Sequence, residues 1–400
     1  MAYVPFPLDE VVLNTPVPVN VWDPHGVLLL RRGEVISDEK HRDRLHMHLP
    51  MVDEAEYKAW TFRYTATIDR MVRGNESLDA IAGVTRPMGL EELQNDQEAT
   101  AAEVWPDLHD ALNTLLYQGA QAADFLKRLA NVERRMDAVL RARVDDSLFV
   151  LMQLLQDRTV SYHATHALLC SVLCRLLAQT LRWPEAERLS LQRAALTMNV
   201  GMSRLHDVLA HQKEPLNPAQ RQQVQEHAQR SVQVLASLGV QDPLWLHCVR
   251  DHHQPAPMPP GDAVQGERAM ANLLNLADVY VARVSPRASR PGLPASRAAR
   301  DVYMGPDGQP TPLGTAFVKT MGAYIPGSYV RLASGEVGVV VRRGRRANTP
   351  LVLSVIGRQG TPLGEPALRD TNDAPHAVKG SVMADEVKVR LTPARVLARL

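Results

Sequence analysis

With 400 residues, 45% of them apolar, the chain can bury a sizeable core and is long for one ordinary domain, so roughly two to four units are expected. Lys plus Arg number 45 against 44 for Asp plus Glu, a formal net charge of +1, which gives no general attraction to nucleic acid or to an acidic membrane. Aromatic residues make up 5%, and no basic run is interleaved with them, which argues against a stacking surface for single strands.

Residues 1–53 read as a small β module. Val17, Val19 and Val21 alternate with Pro18 and Asn20, the turn Asp23-Pro24-His25-Gly26 follows, and Val27 to Leu30 returns as a second strand. The N-terminus MAYVPFPLDEVV lacks the charged start and apolar run of a signal peptide. Residues 54–150 form a helical connector. Its first half is ambiguous because Gly74, Gly83, Pro87 and Gly89 interrupt any long helix, whereas helical spacing is clear from Leu108, Leu112, Leu115 and Leu116 onward.

Residues 151–326 are helical apart from their loops, with helices over Ala164–Leu181, Ala186–Val200, Pro218–Leu238 and Leu244–His252. Arg175 breaks the longest apolar run, so no membrane span is expected, and the chain is read as soluble and cytoplasmic. From 327 to 400 the pattern turns β-rich, with strands over Tyr329–Leu332, Val337–Val341, Leu351–Ile356 and Glu386–Leu391. The run Arg342-Arg343-Gly344-Arg345-Arg346 is a hairpin tip in water. The fold class is mainly α: a helical core with a small β module before it and a β-rich tail after it.

Three cysteines, Cys170, Cys174 and Cys248, sit in apolar helical contexts and read as buried thiols of a reducing compartment. Cys170 and Cys174 share a helix face, but no second cysteine pair accompanies them, so a metal site of that kind is the weaker reading.

Chemistry concentrates in four central stretches. His166 lies in YHATHALLCSVLCRLLAQTL. The segment AALTMNVGMSRLHDVLAHQKEPLNPAQRQQVQEHAQ runs from Ala194 through Gly201, Pro215, Leu216 and Pro218 to His227. His252 and His253 form a pair, and Asp278 lies in LLNLADVYVARV. Each histidine alone would be an ordinary helical residue. In this order and spacing, however, the four stretches resemble the HD-GYP family, the HD-domain phosphohydrolases that cleave cyclic di-GMP, and PVPVNVWDPHGVLLLRRGEVI resembles a β module found ahead of such domains. The resemblance implies an all-helical core over 151–326 and matches His166, His227, His252, His253 and Asp278 to metal ligands. It also places Arg287 and Arg290 on a stretch near the family's ligand pocket, as phosphate-binding candidates beside the plainer reading of a solvated basic loop.

The departures carry more information. The family's His-Asp dipeptide falls on Met198 and Asn199, its lysine on Met202, and its glutamate after the histidine pair on Gln254. Pro255-Ala256-Pro257-Met258 replaces the Gly-Tyr-Pro signature, and Val281 the second aspartate of the Asp278 stretch. Two-metal hydrolysis needs an anionic ligand that touches both cations and fixes them about 4 Å apart. Asn199 offers a neutral amide, Met198 a soft thioether, and Met202 no charge for a phosphate. His206-Asp207 spells the missing dipeptide eight positions late, in what the alignment makes a loop, and is read as a loop and cap rather than a ligand pair.

The sequence therefore predicts a catalytically impaired signalling protein that acts through protein contacts or by binding a nucleotide without hydrolysing it. The alternatives are an active cyclic di-GMP phosphodiesterase with an atypical metal set, and a scaffold with a vestigial pocket. No cofactor is expected beyond one divalent ion (Fe, Mn or Zn) on the five retained residues, which are otherwise hydrogen-bonded relics. His252 and His253, adjacent on a regular helix, would point roughly 100° apart and not easily share an ion. Expected partners are other signalling proteins such as diguanylate cyclases, cyclic di-GMP, or a second copy of the chain.

Overall fold

In the computed structural model of the chain, residues 3–8, 11, 13–14, 17, 19–24, 26–54, 56–57, 100–255, 264–305 and 307–400 are described, and the chain divides into two compact units, Met1–Glu98 and Ala99–Leu400. The interrupted segment around Gly74, Gly83, Pro87 and Gly89 lies outside the described residues.

The first unit holds strands β1 (Tyr3–Pro5), β2 (Val21–Trp22), β3 (Leu28–Leu30) and β4 (Met51–Asp53), with helix α1 (Glu39–His46) between β3 and β4. The strands form one antiparallel sheet in the order β1-β4-β2-β3. At the expected turn, Gly26 N–H donates to the Asp23 carbonyl at 3.0 Å and the Asp23 carboxylate accepts from Val27 N–H at 2.8 Å. Val17, Val19 and Val21 all face inward, with Phe6, Leu30, Ile36, Leu45 and Val52 in the same core.

The second unit begins with α2 (Ala101–Tyr117), α3 (Phe125–Ala142), α4 (Val144–Gln156) and α5 (Tyr162–Thr180). It continues through α6 (Glu185–Thr197), a short 3-10 turn (Val200–Met202), α7 (Ser203–His211), α8 (Pro218–Ser237), α9 (Pro243–Asp251), α10 (Glu267–Val284), α11 (Ala295–Tyr303) and α12 (Pro312–Met321). The expected central helices are all present, with ends moved by a few residues. Their starts follow local chemistry. Asn217 closes a capping box with Gln220 ahead of Pro218, and the Asp242 carboxylate accepts from Leu244 and Trp245 N–H ahead of Pro243.

Helix α5 is the spine. Every side chain from Tyr162 to Cys174 is buried, so it carries no polar face, as expected of a helix covered on all sides. Helices α2, α4, α6, α7, α10 and α12 all pack on it. Gly201 lies against α8 so closely that a Cβ there would stand 2.7 Å from the Ser231 backbone nitrogen, and its own N–H donates to Ser231 Oγ at 3.0 Å. That glycine holds the end of α6 against the helix carrying His227.

The tail forms an antiparallel sheet of β5 (Tyr329–Leu332), β6 (Val337–Arg342), β7 (Leu351–Ile356), β8 (Pro362–Asp370) and β9 (Val378–Val382), in the order β8-β7-β6-β5-β9, followed by a short helix α13 (Pro393–Leu397). Val339, Val341, Leu353 and Val355 join the main helical core, while Val330, Leu332, Val340 and Val352 form a second apolar cluster. Covering both faces explains the unbroken apolar run of β6. Gly327 (φ +91°) leads into the sheet where a Cβ would meet the Met152 side chain at 2.5 Å.

Two expectations are corrected. Residues 386–391 are not a strand but a 3-10 turn running into unpaired chain, and β8 and β9 supply the outer strands instead. The basic hairpin tip is free only at Gly344, Arg345 and Arg346. Arg342 and Arg343 pair with Asp146 and Asp145 in the first turn of α4, where carboxylates also favour the positive end of the helix.

Glu336 accepts two hydrogen bonds from Arg369, at 2.9 and 3.1 Å, and these hold its carboxyl at about 2. The folded value lies below the ordinary glutamate value, so the stabilisation is complete above about pH 4.5 and disappears as pH falls toward 2. Replacing Glu336→Gln should therefore lower stability by roughly 1–3 kcal/mol at pH 7. In calorimetric melts, the gap from the parent should narrow steadily below pH 4; a gap independent of pH would refute the ion pair.

Candidate metal centre

Five helices and one loop bring the site together. Helix α5 supplies Tyr162, His163, His166 and Cys170; α7 supplies His206; α8 supplies His227; the end of α9 supplies His252 and His253; α10 supplies Asp278; and Arg287 follows α10. Two groups of convergent ligand atoms result among the described residues: His227, His252 and His253, and His166, Cys170 and Asp278. In each, the atoms lie within 4.8 Å of one another.

In the first group the tautomers are fixed by the backbone. His227 Nδ1–H donates to the Val224 carbonyl at 2.6 Å and His252 Nδ1–H to the Val249 carbonyl at 2.7 Å. Each Nε2 then carries a lone pair, and the two Nε2 atoms face each other at 3.3 Å. Burial lowers the basicity of both rings, followed for His252 by repulsion from His253; His252 is pushed down to about 3. Both rings are thus neutral at pH 7, and no proton fills the gap between the lone pairs. A cation does fit: tetrahedral bonds of about 2.0–2.1 Å place neighbouring nitrogens roughly 3.3 Å apart. A ligand histidine whose other N–H rests on a carbonyl is also the usual way such rings are oriented.

The expected divergence of His252 and His253 is corrected here. Helix α9 ends at Asp251, His252 is its cap with backbone angles still helical (φ −61°, ψ −20°), and His253 lies in the following turn. The ring centroids are 4.1 Å apart. His252 is fully buried, whereas His253 is exposed and opens the group to solvent.

The second group is hydrogen-bonded in a chain. Arg287 donates to the Tyr162 hydroxyl at 3.2 Å, with its guanidinium over the Tyr162 ring at 5.1 Å. Tyr162 and His166 Nδ1 are 3.0 Å apart, and His166 Nε2 and Asp278 Oδ1 are 2.8 Å apart. Burial alone would raise the Asp278 carboxyl, but the His166 hydrogen bond and the nearby His252 and His253 rings outweigh it and hold the group well below the ordinary range. Cys170, one turn along α5 from His166, was not singled out in sequence as a partner of His166, and Cys174 joins no such group among the described residues.

Met198 is buried in the main apolar core at the end of α6, and Asn199 is buried beside it. Met202 is half-buried and Gln254 exposed; of the replaced Gly-Tyr-Pro segment, Pro255 is exposed and residues 256–258 lie outside the described residues. Arg290 spends its guanidinium on the carbonyls of Ala282, Ser285 and Pro291, closing the end of α10. The late dipeptide is helical, not a loop: it lies in α7, whose inward residues Ser203, His206 and Ala210 repeat at helical spacing. His206 packs on Tyr162 and His166 at 4.8 and 5.2 Å between ring centroids. Asp207 instead caps α5, accepting from Ser161 Oγ and His163 N–H at 2.7 Å each, and from Tyr117.

Residues 149–254 match the family model of the HD domain. Among curated proteins, the chain is similar to "Cyclic di-GMP phosphodiesterase PA4108" of Pseudomonas aeruginosa, with 27% identity over 195 residues, 48% of this chain and 47% of that one. The chain thus spans about half the length of that relative. Among solved structures it is similar to Bd1817, a HDG"Y"P protein from Bdellovibrio bacteriovorus, at 16% identity and a TM-score of 0.33, covering 79% of this chain and 98% of the other. Motif order, helical core and the match over residues 149–254 agree that this part of the chain is an HD domain, similar to those of the HD-GYP family.

Proposed function

We propose that the chain is a signalling protein of cyclic di-GMP pathways whose HD site holds a divalent cation and binds the dinucleotide without hydrolysing it. One observation carries this reading. The two ligand groups share no carboxylate among the described residues, and the residue matched to the family's bridging aspartate is Asn199. An amide oxygen supplies no charge to hold two cations about 4 Å apart, so no water between them is acidified into a nucleophile.

Three histidine ligands suit iron, manganese or zinc and leave a position open on the side of exposed His253. Among the phosphate candidates, Arg287 is the better placed, because its guanidinium reaches the Tyr162 hydroxyl beside the site while Arg290 is committed to carbonyls. The similarity to a cyclic di-GMP phosphodiesterase of Pseudomonas aeruginosa supports cyclic di-GMP as the ligand class. No helix among the described residues is long and apolar enough to cross a membrane.

Elemental analysis of the purified full chain should find a transition metal that His227→Ala removes. With added Mn²⁺ or Fe²⁺, neither protein should convert cyclic di-GMP to the linear dinucleotide. Sustained turnover by the parent would overturn the reading. Calorimetric titration with cyclic di-GMP should show Arg287→Ala binding about tenfold more weakly, as expected for one lost charge-assisted phosphate contact, with metal content unchanged. Equal affinity of the two proteins would remove Arg287 from the proposed pocket.

A further inference from the structure

Where the tail sheet meets the helical core, a cavity of about 420 Å³ remains between them. Its walls are α4, the segment 284–295 after α10, the start of β5, the end of β9 and the 3-10 turn with the unpaired chain behind it. That volume falls in the range of roughly 300–1,000 Å³ of small-molecule sites. None of its lining residues belongs to either ligand group, and Arg287 is not among them. The space does not come from loose packing. A Cβ on Gly292, in the wall itself, would stand 2.2 Å from the Val284 carbonyl oxygen, and Leu293 N–H donates to the Arg283 carbonyl at 2.7 Å. The wall is thus closely packed on its far side and open on this one.

The lining divides by chemistry. Met152, Val284, Leu293, Val382 and Val387 give it an aliphatic surface, and Met152, Val284 and Val382 are buried. Methionine and branched aliphatic walls adapt to a flexible hydrocarbon better than to a flat ring. Charge sits at the wet edge instead. Arg158 and Lys388 are both exposed, and Asp385 is the one acid among the lining residues. Neither cation pairs with a carboxylate among the described residues; the Lys388 ammonium donates to the Asp385 carbonyl at 2.9 Å. Pro294 and Ala295 add the start of α11, a helix end that no side chain caps and whose dipole is positive there.

We propose that this cavity binds an acyl carboxylate of medium chain length. The hydrocarbon lies between α4 and the sheet, and the carboxylate meets Arg158 and Lys388 at the mouth. Each methylene that leaves water for the aliphatic wall contributes to binding. The head group costs little to place, because both cations keep their charged ends near solvent and the carboxylate need not be stripped of all its water. An uncharged body would use the walls and leave the two cations idle. A small phosphate or nucleotide would use the cations and leave the walls wet. One apolar anion satisfies both. The site stands on a different part of the chain from the histidine groups, so it holds whether or not those bind a cation or cyclic di-GMP.

Calorimetric titration of the full chain with decanoate, kept below its micellar range, should show saturable binding of one molecule per chain. Hexanoate should bind more than about tenfold more weakly, because it buries four fewer methylenes. The uncharged 1-decanol should also bind about tenfold more weakly, since it lacks the charge that the cations meet. Lys388→Ala and Arg158→Ala, both changes at exposed positions, should each weaken decanoate by about tenfold. Ala384→Trp, which places an indole in the cavity, should abolish binding, and circular dichroism melts check that each variant is folded. No saturable binding to the parent would overturn the proposal. So would hexanoate or 1-decanol matching decanoate, or decanoate binding undiminished in both the Lys388 and Arg158 variants.

Discussion

Two backbone carbonyls, those of Val224 and Val249, decide what the site can hold. By accepting the Nδ1–H of His227 and His252, they turn both Nε2 lone pairs toward one point 3.3 Å across. Neither ring can relieve that opposition by taking up a proton at neutral pH, because burial disfavours the charged form of each. The arrangement is costly without a cation and favourable with one. It depends on helix geometry twice over, since each carbonyl lies three residues before its histidine at or near the end of a turn.

That arrangement rests in turn on α5. Burial from Tyr162 to Cys174 leaves the polar residues there no route to water, so most are met by a neighbouring element, although both ring nitrogens of His163 lack a partner. Asp207 closes the start of the helix, Asp278 meets His166, and Tyr162 links that pair to Arg287. The site is accordingly a property of packed helix faces rather than of one motif, which keeps its side chains fixed even where the catalytic dipeptide is gone.

Much of this was legible in the sequence. Pro218 marks a helix start, and alternation over Val17–Val21 marks the first sheet, because capping chemistry and side-chain period are local. Three features were not local. PLGEPALRD in β8 looks like a loop, with two prolines and a glycine, and becomes a strand only as the outer partner of β7. The convergence of His252 and His253 depends on α9 stopping at Asp251, a boundary that periodicity resolves to a few residues at best. Cys170 was visible beside Cys174, four residues on, whereas the side chain that converges with it is His166, four residues back; only the position of α10 chooses between those directions.

The two ligand groups differ most in charge, and that difference points to what each does. One group brings a thiol and a carboxyl beside an imidazole. Three imidazoles on the other neutralise nothing, so the full double charge is presented on the side of exposed His253. An uncompensated cation next to water seeks an anionic ligand, and a phosphodiester is one. In the reading proposed above, the site keeps the part that attracts a phosphate, while Asn199 stands where the family's bridging aspartate falls.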